Sequence, residues 1–316
     1  MSHQLAVRAE IVKLARLLGQ DADSLEYLAS VDPADIRELR EQATDVLFSA
    51  HDSTLTRLAA ASRMLPVGIV AAIGERAFGP TLSARMAALL DPSRAVEMAA
   101  KLPVDFLAEV AIDIDPRRTK HLLGRIPPSQ VKAITRELIK RQEYVTMGRF
   151  VGELPPESVR ASIAELDDAT LLRVAFVLER KEFLPELVDL LPEERLDGVI
   201  DAAGEQELWA EVLDLLGHLR PEQRREFAGR AGRFGQDEFD QLMACARELD
   251  MWQSLLPLTA YLPAEAQERA AVATGRLNLD DEERQRVLEH ARGESLLDEL
   301  GPVGIALESS TKDARN

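Results

Sequence analysis

Residues 206–222 read QELWAEVLDLLGHLRPE. Leu208, Trp209, Val212, Leu213, Leu216 and Leu219 recur at the spacing of one helix face, and Arg220-Pro221-Glu222 then ends the run. Proline suits the first turn of a helix, where its missing N–H would have had no partner. It also turns the residue before it away from helical geometry. The glutamate beside it puts negative charge at the positive end of the new helix dipole. Such a junction stops one helix and starts the next within two or three residues.

The junction recurs. EYLASVDPADI begins at Glu26, EMAAKLPVDF at Glu97, EYVTMGRFVGELPPE at Glu143, EFLPELVDLLPEE at Glu182 and MWQSLLPLTAYLPAE at Met251. Asp32-Pro33, Asp91-Pro92 and Asp115-Pro116 add a carboxylate able to cap the free amides of a first turn. The breaks predict about 18 to 20 helices of about 10 to 14 residues, too short to persist alone in water and therefore dependent on their neighbours. Prolines 155, 192, 221 and 263 stand 37, 29 and 42 residues apart. That spacing fits alternating two- and three-helix units better than a strict array. The expected fold class is all-α, a superhelical α-solenoid of short helices in two- and three-helix repeats. A compact, non-repeating helical domain is the alternative.

One helical-repeat domain is expected over residues 1–302, with a mobile C-terminal tail over 303–316. The first helix, Gln4 to Leu18, shows Leu5, Ile11, Val12, Ala15 and Leu18 on one face, to cap the stack or pair with a second copy. LLRVAFVLER (171–180) is apolar most of the way round and should be central; ESVRASIAEL (157–166) should lie outside it. Trp209, Trp252, Tyr144 and Phe183 open equivalent helices in phase with leucines, which makes them packing anchors rather than an aromatic cage.

Composition agrees. Apolar residues make up 46% of the 316, aromatics only 4%, and leucine, alanine, glutamate and arginine outweigh the β-branched residues. The single cysteine, Cys245, allows no internal disulfide. Arg8, Glu10, Lys13 and Arg16 interrupt any apolar leader, and no run is long enough to span a membrane. A reduced, cytoplasmic location is the expectation. A net charge of −17 argues against general nucleic-acid binding. The charge is polarised: residues 117–150 carry 9 basic and 2 acidic side chains, whereas residues 151–316 carry 18 and 36.

GELPPESVRASIAELDDATLLRVAFVLE (152–179) and VDLLPEERLDGVIDA (188–202) carry a family likeness. Their leucine-proline-acid junctions resemble the cytoplasmic N-terminal domain of MgtE-type magnesium transporters and, more distantly, the helical middle part of the flagellar motor-switch protein FliG. The resemblance implies a right-handed superhelix used for regulation or protein contact, without catalysis. The transporter's paired nucleotide-binding-type modules and pore have no counterpart in the 316 residues, and neither does the EHPQ-type motif of motor-switch proteins. No ligand residue carries over, so transport and torque are not implied. Weak magnesium binding is.

The basic segment is the candidate site. Arg117, His121 and Arg125 recur every four residues, and so do Lys132, Arg136 and Lys140; Arg118 and Arg141 adjoin them. Two basic stripes on adjacent helices would dock an acidic protein partner, a phosphate-bearing ligand or the acidic half of another copy. A solvated surface is the alternative. No histidine sits in a metal motif, and no serine in a nucleophile elbow. AGRAGRFG (228–235) reads as a glycine-capped helix end, because no strand precedes it. Asp280-Asp281-Glu282-Glu283 reads as helix capping, with weak divalent binding as an option. No cofactor is expected. The function expected is a non-enzymatic binding scaffold; the alternatives are a cytoplasmic regulator responding to magnesium and an enzyme whose scattered carboxylates no motif reveals.

Overall fold

Every proline junction singled out above falls at a helix boundary. The computed structural model describes residues 3–49 and 52–309, the side chains of 47–49 and 52–53 excepted, and its regular structure there is helical throughout. Pro66, Pro103, Pro127, Pro155, Pro192 and Pro263 occupy the N-cap position with extended backbone, ψ lying between 138° and 150°. The aspartate-proline junctions place proline at the first helical residue, and the aspartate caps it. Asp91 accepts from the amides of Ser93 and Arg94 at 3.0 and 3.3 Å, and Asp115 from that of Arg117 at 3.0 Å. Asp32 accepts from Ala34 at 2.8 Å.

The described residues form twenty-one α-helices in two compact units. The first unit, residues 9–183, takes most of α1 (His3–Leu18), then α2 (Pro33–Ser49), α3 (Asp52–Ser62), α4 (Val67–Ile73), α5 (Gly79–Ala87), α6 (Pro92–Ala99) and α7 (Val104–Asp113). It continues with α8 (Pro116–Leu123), α9 (Pro128–Lys140), α10 (Tyr144–Phe150), α11 (Pro156–Ile163) and α12 (Asp168–Phe176). Tight 3₁₀ turns at Ala22–Leu28 and Lys181–Phe183 and a π turn at Gly74–Phe78 join some of them. The second unit, residues 184–309 with the first residues of α1, comprises α13 (Leu184–Asp189), α14 (Glu193–Glu205), α15 (Trp209–Leu216), α16 (Pro221–Ala231) and α17 (Gln236–Glu248). It ends with α18 (Trp252–Ala260), α19 (Ala264–Arg276), α20 (Asp281–Gly293) and α21 (Pro302–Glu308).

Within each unit a helix rests on the next but one. In the first, α4 packs on α6 and α6 on α8, while α5, α7, α9 and α11 make a second row. In the second, α14, α16, α18 and α20 make one row and α15, α17, α19 and α21 the other. The uneven proline intervals follow: 192–221 encloses α14 and α15, whereas 155–192 encloses α11 to α13 and 221–263 encloses α16 to α18. Four helix ends that no proline marks have a polar residue in the left-handed region. Gln142, Glu207, Asp250 and Ser295 all have φ between 50° and 58°. The amide after each bonds a carbonyl five residues back, as in Met251 to Ala246 at 2.8 Å and Leu208 to Ala203 at 2.9 Å.

The core follows the expected phase at Leu208, Trp209, Val212, Leu213 and Leu216, all buried, but not in α1, where Leu18 is exposed and Val12 half-buried while Glu10 and Lys13 are buried. Ala108, Leu138, Met147, Leu166 and Val174 form one buried cluster in the first unit. In the second, Trp209 meets Phe234 edge-on at 5.4 Å, and Phe234 meets Phe239 at 5.6 Å. Trp209 and Trp252 are buried, as packing anchors should be. The single repeat domain read over 1–302 is divided at residue 183, and the segment read as a tail begins inside α21. Val303 and Leu307 are buried and α21 packs on α19, so Pro302–Glu308 is held by apolar contact. Residues 310–316 of that segment lie outside the described residues.

Candidate functional site

The basic segment is laced with carboxylates from other helices. Lys132 and Arg136 of α9 both grip Glu165, at 2.8 Å from Lys132. The Arg136 and Lys132 hydrogen bonds hold the Glu165 carboxyl down to about 2. Lys140 bonds Glu137 at 2.6 Å on its own helix. Arg141, just past α9, reaches Glu109 and the Asp105 carbonyl, each at 3.4 Å. On α8, Arg117 lies 3.2 Å from Asp115 and 3.7 Å from Glu41. Arg118 and His121 are exposed on α8, and Arg125 donates to the Ser93 hydroxyl at 3.1 Å. The stripes on α8 and α9 belong to different rows of helices.

Such links recur along the chain with a common reach. Arg220 bonds Asp189, Arg230 bonds Asp197, Arg233 bonds Asp201 and Arg276 bonds Asp240. Arg247 takes Glu283 with two nitrogens at 2.9 Å. Arg269 donates to the Gly232 carbonyl at 2.7 Å, which consumes the backbone of the glycine-rich stretch. That stretch is a helix end: α16 stops at Ala231 and α17 starts at Gln236. Each of these ties spans 31 to 37 residues and joins elements two or three helices apart in the chain.

A second cluster in the first unit was not read from the sequence. Glu10 and Lys13 on α1 are buried, as is Arg40 on α2. Lys13 donates to Glu10 at 2.8 Å and to the Leu178 carbonyl at 3.1 Å. Arg37 and Arg40 donate to the same carboxylate at 3.0 and 3.2 Å, and Arg40 also bonds Glu179. Arg16 makes a two-pronged bond to Glu143 at 2.8 and 3.0 Å. Burial pushes the Glu10 carboxyl up, but Lys13, Arg40 and Arg37 together outweigh it and leave it below its ordinary value. Burial pulls Lys13 down more than Glu10 and Glu179 lift it. Loss of water also lowers Arg149, which donates to the Ile114 carbonyl at 3.0 Å. Glu179 Oε2 is buried without a hydrogen-bond partner among the described residues.

Leu5, Val7, Ala9, Ile11, Leu14 and Ala15 are all buried, so α1 is enclosed over most of its circumference. A charge within such a helix has little water to face. The arrangement is a lock: one carboxylate accepts from three cations, and Lys13, Arg16 and Arg40 fasten α1 and α2 to residues 143–179.

The remaining candidates resolve locally. Asp280 accepts from the Glu283 amide at 2.8 Å while Glu283 accepts from the Asp280 amide at 3.0 Å, so the acidic run is a capping box. Burial pushes the Cys245 thiol up to about 11, which makes it a poor nucleophile. Among the described residues no group of three or more His, Cys, Asp or Glu side chains is placed to hold a metal ion, and no helix is long and apolar enough to cross a membrane.

Comparison with protein-family models, with curated proteins and with solved structures found no match for the chain.

Proposed function

We propose that the protein is a non-enzymatic binding scaffold, an α-solenoid of two- and three-helix repeats that works in the cytoplasm through protein contacts. The packing of each helix on the next but one, tied by side chains one repeat apart, carries the reading. That construction buries helix faces against near neighbours in sequence and leaves long outer faces for a partner. The charged groups support it from the other side: the cations of 117–141 and the carboxylates they meet hold helices together. The basic stripe contributes to docking an acidic partner through the side chains at its rim, where Arg125 and Lys140 are exposed.

Affinity capture from the native cell tests this. Wild-type protein should retain protein partners that elute as salt rises from about 0.1 M to about 1 M, where screening shortens from about 10 Å to about 3 Å. Arg125→Glu with Lys140→Glu should lose them while its circular-dichroism melt stays unchanged. Absence of any salt-sensitive partner would end the scaffold reading; capture that survives the double variant would end the role of the stripe.

A further inference from the structure

We infer that the first unit pairs with a second copy of this chain through α2 and the α3–α4 corner. Among the described residues eleven large apolar side chains are left exposed, and seven of them lie between residues 27 and 69. A concentration of that kind marks a contact surface more often than it marks bare solvent.

The two faces are fixed in place. On α2, Ile36, Arg40 and Thr44 point inward, while Leu39 and Val46, seven residues apart, are 54% and 71% exposed on its flank. On α3, Leu55 and Ala59 pack with Met86 and Leu90, and Leu58 faces out. Met64 and Ile69, at the corner and on α4, are 89% and 50% exposed. Arg94 pins that corner from α6 by donating to the Ser62 and Leu65 carbonyls.

The charges around the two faces are opposite. Residues 21–46 hold eight carboxylates, among them Glu41, which pairs with Arg117 at 3.7 Å, and two arginines, Arg37 and Arg40, both bonded to Glu10. Asp35 and Glu38 are exposed beside Leu39. Residues 54–70 hold no acid and two exposed arginines, Arg57 and Arg63. The α2 face is apolar with acids; the α3–α4 face is apolar with cations. A second copy supplies each with its complement, and a two-fold axis makes both contacts at once. A foreign partner would have to match both. The pairing is independent of the scaffold reading.

Light scattering coupled to size exclusion, from about 1 µM to about 100 µM protein, reads the result directly. The chain of 35.0 kDa should run at twice that mass at the upper concentrations. Arg57→Glu with Arg63→Glu should return it to 35.0 kDa, and so should Asp35→Arg with Glu38→Arg. An equimolar mixture of those two variants should dimerise again, because each repels itself and attracts the other. Met64→Asp, at a side chain almost wholly in solvent, should weaken the dimer at least tenfold without moving the melt. A monomer at every concentration, or a dimer indifferent to these variants, overturns the inference.

Discussion

Glu10→Met should be among the most damaging single changes in the first unit, and Lys13→Met should not. Glu10 is the shared acceptor of Lys13, Arg37 and Arg40, at 2.8, 3.0 and 3.2 Å. Its removal strands the buried Lys13 ammonium, whose remaining hydrogen bond is to the Leu178 carbonyl. Breaking a buried pair from one side costs about 3–5 kcal/mol. For a unit of this size that lowers Tm by about 6–20 °C, taking about 2–4 °C per kcal/mol. Lys13→Met leaves Glu10 with both arginines and relieves an ammonium that burial already disfavours, so its cost should stay below about 2 kcal/mol. The double variant should be more stable than Glu10→Met alone, because it removes the stranded charge. Urea unfolding at pH 7 followed by circular dichroism measures all three. Both tryptophans lie in the other unit, so fluorescence is the wrong probe. Lys13→Met as costly as Glu10→Met, or a double variant worse than either, would refute the hub assignment.

Gly148→Ala should destabilise by about 1–3 kcal/mol, because its new Cβ would lie 2.8 Å from the Val177 carbonyl oxygen, a backbone atom that cannot step aside. Gly124→Ala, with nothing within 4 Å, is the control in the same urea titration. Asp250→Gly should stabilise by about 0.5–1 kcal/mol, because φ of 50° strains aspartate and suits glycine, less the entropy glycine adds to the unfolded chain. Acid should weaken the fold in a defined window. Glu165 sits at about 2 against 4.5 when free, and Glu10, Asp189, Asp197 and Glu283 are also depressed. Depressed carboxylates contribute stability in full above the unfolded value and lose it as pH falls through the folded one. The urea midpoint should therefore drop between pH 4.5 and about pH 2 at constant ionic strength; a midpoint that rises on acidification would refute it.

The helix boundaries were legible because proline and aspartate act within three residues of themselves. Pro155, Pro192, Pro221 and Pro263 therefore marked two- and three-helix intervals before any contact was known, and Asp280 marked its capping box. The left-handed stops at Gln142, Glu207, Asp250 and Ser295 were not legible, because glutamine, glutamate and serine lack glycine's freedom there and aspartate visits that geometry too seldom to mark it. The basic segment was visible as composition, but Glu165, Glu109 and Glu41 come from other helices and no local spacing announces them. In the sequence Glu10 and Lys13 only interrupt an apolar stretch. Their bonds to Arg40 and to the Leu178 carbonyl, far along the chain, show that they lie inside.

The span of those contacts also sets a schedule for synthesis. Most polar ties become available once a few tens of residues have followed. Arg16 and Lys13 must wait for Glu143 and Leu178, 127 and 165 residues downstream. At about 5–20 residues per second the ribosome needs about 6–30 s to deliver them. Although α1 precedes the rest of the first unit, it is thus among the last of that unit's helices to be fully secured.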